Sequence, residues 1–309
     1  MSARAAWAIL ALALLPAAAG AAEAYRALRP EAMLSSDADG NQAYRYSLGW
    51  DAWRRDREHW AGVEVQHARY SGAGWSHEEQ RVYARAAGTL GEGEPDDDTW
   101  RWQARAGSNG HTALGGATLH TEGPRRRELF FERDLLETES GVARRQMYNY
   151  LGAAVDHPFG ERLGGTVLAG LQTFGDGNRR SHLRGNLAYA LVPERGLGLQ
   201  LRTRYYRNSE PYAGGYYSPP WYGEALGVLA LRRVLGGHAW RAAAGIGRQR
   251  SAEEGWKRAR LLELGYESPR WRRSWLRVAG GYTDTPVATS AGSGSYSYRY
   301  LMVEAVVPL

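Results

Sequence analysis

Hydrophobic alternation with a period of two, repeated along most of the chain, limits what this sequence can fold into. From Leu197 onward, Leu197, Leu199, Leu201 and Tyr205 share one parity, while Gly198, Gln200, Arg202 and Arg204 hold the other. Successive side chains of a β-strand point to opposite faces, so such a segment is a strand with one apolar and one wet side. Trp100, Trp102, Ala104 and Ala106 oppose Arg101, Gln103 and Arg105 in the same way, and Leu183, Leu187, Tyr189 and Leu191 oppose His182, Arg184 and Asn186. Near the carboxyl terminus, Leu262, Leu264 and Tyr266 oppose Glu263, Gly265 and Glu267, and Leu301, Val303, Ala305, Val307 and Leu309 oppose Met302 and Glu304.

A soluble sandwich also alternates, so the connections between strands decide. Tight ones at 156–162, 193–197, 235–238 and 269–274 are interleaved with longer polar ones at 175–181, 208–220, 251–255 and 283–295. Short turns at one end and long loops at the other predict an all-β, transmembrane, antiparallel up-and-down β-barrel whose short turns face the periplasm. Lipid offers no hydrogen bonds, so a spanning sheet must close on itself. Trp50, Trp53, Trp60, Trp221, Trp240, Trp271 and Trp275, near strand ends, are expected to form interfacial girdles.

Arg4, an apolar run from Trp7 to Leu15, Pro16 and the small-residue stretch from Ala17 to Ala22 have the order of a secretory signal peptide over residues 1–22. The remaining 23–309 is expected to be one outer-membrane barrel. Its length of about 287 residues matches sixteen strands of about 11 residues with about seven short turns and eight longer loops. The segment 112–146 leaves the count open by two, since it holds either one hairpin or a strand and a long loop.

Composition narrows the function. A mean hydropathy of −0.53 excludes a bundle of transmembrane helices. With 0 cysteines, disulfides, thiol nucleophiles and a lipoprotein anchor are excluded. The net charge is +6, and Lys257 is the single lysine. Arginine holds planar or anionic partners in fixed geometry, although a genome-wide bias gives the same excess.

The wet parity supplies the candidate solute path: Arg101, Gln103, Arg105, Arg184, Asn186, Gln200, Arg202 and Arg204, with the carboxylates Glu224, Glu263 and Glu267. One reading is a conduit for an anionic or polyhydroxyl solute; the other is that these arginines neutralise those carboxylates, and a charged wall can do both. Asp37, Asp39, Gly40 and Asn41, echoed by Asp176, Gly177 and Asn178, resemble half a calcium loop but lack its closing glutamate, and are read as turns. The acidic run from Glu92 to Asp98 is read as a solvated loop. The histidines at 59, 67, 77, 111, 120, 157, 182 and 238 stand in no recognisable nucleophile motif.

Tyr216, Tyr217, Ser218 and Pro219, followed by Trp221, Tyr222 and Glu224, resemble a stretch in the barrels of exopolysaccharide export proteins of the poly-N-acetylglucosamine and cellulose type. Asp176 to Arg179 and Leu191 to Arg195 add to the likeness, which is best from His157 to the end. The resemblance implies a barrel of about sixteen strands and export of saccharide. Those exporters carry a tetratricopeptide superhelix before the barrel, for which 23–309 has no room, so polymer handling would need a separate periplasmic tetratricopeptide protein. An arginine-rich wall also suits neutral or acidic glycans better than a cationic one.

The expectation is therefore a porin-like channel in the bacterial outer membrane that passes saccharide or exopolysaccharide. It is not expected to be an enzyme, to use a cofactor or metal, or to bind nucleic acid. Its surroundings are outer-membrane lipid and lipopolysaccharide. Residues 216–219 would lie in an extracellular loop, folded back as a constriction or stacking on sugar faces, or merely stiffened by proline. The alternative is an outer-membrane barrel enzyme acting on lipid or lipopolysaccharide.

Overall fold

A computed structural model describes residues 24–91, 96–286 and 296–309. The expected leader over 1–22 lies outside the described residues. The strands are β1 (Tyr25–Asp37), β2 (Gln42–Arg54), β3 (Trp60–Gly72), β4 (Trp75–Thr89), β5 (Arg101–Ser108), β6 (Ala113–His120), β7 (Arg127–Leu135) and β8 (Met147–Pro158). After them come β9 (Leu163–Phe174), β10 (Arg179–Val192), β11 (Leu197–Asn208), β12 (Trp221–Leu235), β13 (His238–Ser251), β14 (Lys257–Glu267), β15 (Trp275–Thr283) and β16 (Tyr298–Pro308). Each pairs antiparallel with its neighbours, and β1 pairs β16 from Ala27 opposite Pro308 to Asp37 opposite Tyr298, closing the barrel. Closure gives every strand two hydrogen-bonded flanks, which lipid requires. The segment 112–146 resolves as the hairpin β6–β7 followed by a connection carrying the short helix α1 (Glu139–Ala143).

The parity read from the sequence maps onto the two sides of the wall. Leu199, Leu201 and Tyr205 of β11 are exposed outward, whereas Gln200, Arg202 and Arg204 between them are half-buried and Tyr206 is buried. Around the barrel Leu151, Leu183, Leu229 and Leu264 repeat the exposed set, and Ile246 reaches 72% exposure. So much outward apolar surface is at home only in lipid, where covering each such side chain stabilises by about 1.5–3 kcal/mol. Grooves on this outer face, such as the one of about 870 Å³ among Leu187, Leu199, Leu229 and Ile246, belong to the lipid side.

Three expectations need correction. First, Trp60 and Trp275 are not girdle residues. Trp60 is buried inside the barrel beneath Arg29 and Arg85, and Trp275 shares the inward parity of its partner Val306, with Arg57 and Arg277 over its ring. Paired residues of a pleated sheet share a face, and these indoles follow strand parity. Trp50, Trp240 and Trp271 are exposed outward.

Second, the long connection expected at 175–181 is a tight turn, because β10 already begins at Arg179. In it Asp176 accepts a hydrogen bond from the Asn178 amide at 3.1 Å, and Gly177 adopts φ +94°, which a side chain resists. The Asp37–Asn41 turn is built alike, with Asp37 Oδ1 accepting from the amides of Asp39 and Asn41 at 3.0 Å.

Third, loop length alternates less cleanly than expected. The connection over 90–100, at the end carrying both termini, is long; in it Asp98 pairs with Arg127 at 2.7 Å. Glu92 and the residues up to 95 in the acidic run lie outside the described residues, as do 287–295 in the last connection.

Candidate functional site

At the end opposite the termini, two connections fold inward over the lumen. The first, 136–146, carries α1, capped by Thr138, whose side chain accepts from the Gly141 amide. Val142 is buried among Ala68, Tyr70, Tyr83 and Leu114, all inward side chains of the wall. The second, 209–220, contains the sequence-selected residues Tyr216, Tyr217, Ser218 and Pro219. Tyr216 stacks on Phe174 with ring centroids 4.5 Å apart and its hydroxyl accepts from Asn178 at 2.8 Å. The Tyr217 carbonyl accepts from Arg180 Nη2 at 2.5 Å, Ser218 Oγ donates to the Ala213 carbonyl at 3.2 Å, and the Pro219 carbonyl accepts from Asn208 Nδ2 at 2.5 Å. Ser140 of α1 donates to the Gly214 carbonyl at 3.2 Å, tying the two segments together.

Burial pushes the phenol pKa of Tyr216 and Tyr217 upward, so both rings stay neutral and keep their hydroxyl protons as donors. The same holds for Tyr296, whose hydroxyl lies 3.2 Å from that of Tyr217 and donates to Glu254 at 2.6 Å. A cavity of about 610 Å³ is lined here by Trp75, Tyr212, Tyr216, Tyr217 and Tyr296 together with Asp39, Glu139, Glu253 and Glu254.

Below this cover the wall divides electrically into two sectors. On β1–β4, charges are compensated. Arg85 reaches Asp51 at 2.8 Å and Glu64 at 3.1 Å, Arg54 reaches Asp51 at 2.5 Å, and Arg29 reaches Glu304 at 2.8 Å. Gly49 makes the first contact possible, since a Cβ there would stand 2.1 Å from Arg85 Nη2. Beside this cluster a cavity of about 560 Å³ is lined by Arg29, Glu31, Arg85, Gln103, Arg105 and Glu132. Arg105 lies over the Tyr83 ring at 5.0 Å. The sequence-selected Arg101 sits apart at the terminal rim, 3.1 Å from Glu58 and donating to the carbonyls of Asp96 and Thr99, where it holds a connection in place.

On β8–β11 positive charge is in excess. Arg180, His182, Arg184 and Asn186 project inward from β10, and Gln200, Arg202 and Arg204 from β11. Register sets Arg184 opposite Arg204 and Asn186 opposite Arg202. Arg202 is neutralised by Glu263 at 2.9 Å and held by Gln200 at 2.8 Å. Glu224 stands opposite Arg204 in register, yet its Oε2 is engaged by Tyr222 at 2.9 Å and Thr285 at 2.6 Å, and no ion pair joins it to Arg204. Glu267 pairs with Arg57 at 3.2 Å and Arg277 at 3.5 Å, near the termini.

Sequence reasoning missed the compensated cluster, although Glu79, Arg81, Tyr83 and Arg85 sit on one parity of β4. It also missed α1, whose signal is the capping residue Thr138 ahead of a five-residue helix.

The chain is similar to a bacterial polysaccharide outer membrane secretin, with a TM-score of 0.64 and 14% identity over 92% of this chain and 98% of that one. It is also similar to Pseudomonas aeruginosa OccK5 (OpdH), at a TM-score of 0.44 and 10% identity over 93% and 98% of the two chains. For Pseudomonas aeruginosa OprD the TM-score is 0.43 with 10% identity over 93% and 96%. The first similarity shows the fold. No protein-family model matches the sequence, and no curated protein matches it.

Proposed function

We propose that this chain is a bacterial outer-membrane channel that passes saccharide or exopolysaccharide through its lumen. One observation carries the reading: a closed wall of sixteen strands presents leucines outward and arginines, glutamines and carboxylates inward. A barrel of this strand number is wide enough to enclose a wet lumen. Its terminal end faces the periplasm in this reading and the inward-folded segments face the exterior.

The path runs past Gln103, Arg105, Arg184, Asn186, Gln200, Arg202, Arg204, Glu224, Glu263 and Glu267, with Arg101 and Glu267 at the periplasmic rim and Tyr216–Pro219 at the outer mouth. The channel needs no chemical step and no cofactor. The similarity to a bacterial polysaccharide outer membrane secretin supports the substrate class.

The purified protein in planar bilayers tests the reading. Stable ion conductance reduced by added oligosaccharides is expected. Absence of conductance, accompanied by turnover of lipid or lipopolysaccharide, would replace it with the enzyme reading.

A further inference from the structure

Arg184 and Arg204 are directly opposed on adjacent strands, a spacing of about 5 Å between Cβ atoms at which like charges destabilise a sheet. Neither makes an ion pair within 4.0 Å among the described residues, in contrast to Arg202, Arg85 and Arg29. Around them lie buried polar atoms without a hydrogen-bond partner: Tyr150 Oη, Arg184 Nε, His182 Nδ1 and Asn186 Oδ1. Burying such atoms unpaired costs about 1–3 kcal/mol each, and here four belong to one patch of the inner wall.

The chemistry of these atoms is mixed. Arg184 Nε and the Tyr150 hydroxyl donate. His182 Nε2 lies 3.2 Å from Gln172 Oε1, which only accepts, so Nε2 carries the proton and Nδ1 is an acceptor. Asn186 Oδ1 also accepts. A bare anion would satisfy the two guanidinium groups and leave both acceptors idle, whereas a neutral sugar would add nothing to the partial compensation that Glu224, opposite Arg204, gives the cationic pair. A sugar acid offers a carboxylate and several hydroxyl donors at once.

We propose that the β8–β11 wall holds a binding subsite for a carboxylate-bearing sugar residue. Arg184 and Arg204 take the carboxylate, and Tyr150, His182 and Asn186, whose orphaned atoms are closed to solvent in the free wall, turn toward ring hydroxyls when the sugar binds. The subsite lies on the path beneath the 209–220 segment, Arg184 being about 13 Å along β10 from Arg180. It deepens the channel reading and rests on it.

The test uses single channels in planar bilayers with trigalacturonate as the acidic probe, maltotriose as the neutral one and inorganic phosphate as the free anion. Trigalacturonate is expected to block at a concentration on the order of tenfold below that of maltotriose. Arg184→Gln with Arg204→Gln should erase that difference. The single variant Asn186→Leu should weaken trigalacturonate block and leave phosphate unaffected. Heat-modifiable gel mobility verifies that each variant is folded, and the single Arg204→Gln stands in if the double variant is not. Equal block by the two sugars, a difference that survives Arg204→Gln, or phosphate acting as strongly as trigalacturonate overturns the subsite. A channel that conducts and is blocked only by maltotriose removes the subsite and keeps the channel, while absence of conductance removes both.

Discussion

Arg180 donates from Nη2 to the carbonyl oxygen of Tyr217 at 2.5 Å, a bond from the barrel wall to the segment folded over the lumen. The same guanidinium lies 4.7 Å from the Tyr206 ring and 5.2 Å from that of Phe174, and its Nε donates to Asn208 at 2.8 Å. One side chain thus ties the cover to three residues of the wall.

Arg180→Ala should therefore loosen 209–220 without opening the sheet. Single-channel conductance is expected to rise and proteolysis within 209–220 to quicken, while heat-modifiable mobility is retained. Unchanged conductance and unchanged cleavage together would show that the segment is held by its other ties, the Tyr216 stack and the bonds from Asn178, Asn208 and Ser140.

Gly49→Ala tests the compensated cluster. The new methyl group would stand 2.1 Å from Arg85 Nη2, so the guanidinium must shift and strain its pairing with Asp51, which is 0% exposed. A destabilisation of about 1–3 kcal/mol is expected from overpacking, measured by urea unfolding in lipid vesicles. In an Arg85→Ala background the same substitution should cost less, because the clash is gone; equal costs would mean that the two residues do not interact.

Which parts of this molecule could be read from its sequence follows from the range of the forces involved. Strand parity is local: the alternation around Leu199, Gln200, Leu201 and Arg202 is imposed by the pleat, and it placed the arginines of β10 and β11 on the inner wall. The turns at Gly40 and Gly177 are equally local. Partnership is not local. Arg202 and Glu263 are ordinary period-two residues whose pairing at 2.9 Å depends on β11 and β14 approaching across the lumen. The inward positions of Trp60 and Trp275 run against the usual place of indoles at the lipid boundary; they follow strand parity, and the arginines over their rings favour them inside. The segment 112–146 stays open in the sequence because Val142, which anchors its last part, contacts residues of β3, β4 and β6 far away in the chain.

Charge reversal separates the two arginines of β11. Arg204→Glu removes a cation that makes no ion pair, sets a carboxylate opposite Glu224, and should shift the reversal potential of a salt gradient toward cation preference. Arg202→Glu should shift it too, but it also breaks the 2.9 Å pair with Glu263, so its unfolding midpoint should fall further. An ion selectivity that neither variant alters would count against their place on the conducting path.

Asp56 gives the connection between β2 and β3 an acid-sensitive contact. Burial opposes its ionisation, but the amides of Glu58 at 2.7 Å and His59 at 2.8 Å, the His59 ring at 3.0 Å and Arg55 at 3.1 Å outweigh it, so its pKa lies below that of an ordinary aspartate. A depressed folded pKa means stability that is complete above the unfolded value and lost as pH falls through the folded one. Amide exchange at Glu58 and His59 should therefore quicken relative to neighbouring turns below the ordinary aspartate range. Asp56→Ala, which removes the acceptor of both amides, should show fast exchange at every pH; a pH-independent wild-type rate ratio would refute the linkage.

The sharpest test of the two-sided wall uses adjacent residues of one strand. Leu201→Arg puts a guanidinium on the outer face near the middle of β11, where Leu201 is 49% exposed and pairs with Leu187 and Gly227. In lipid such a charge costs about 2–4 kcal/mol at the midplane. Gln200→Arg introduces the same guanidinium one residue away, on the inner face, where it gives up the bond to Arg202 but stays out of lipid. Urea unfolding from lipid vesicles should show a large loss for the first variant and a small one for the second. In a soluble protein of the same shape the outer face would be wet, and Leu201→Arg would then be the milder change.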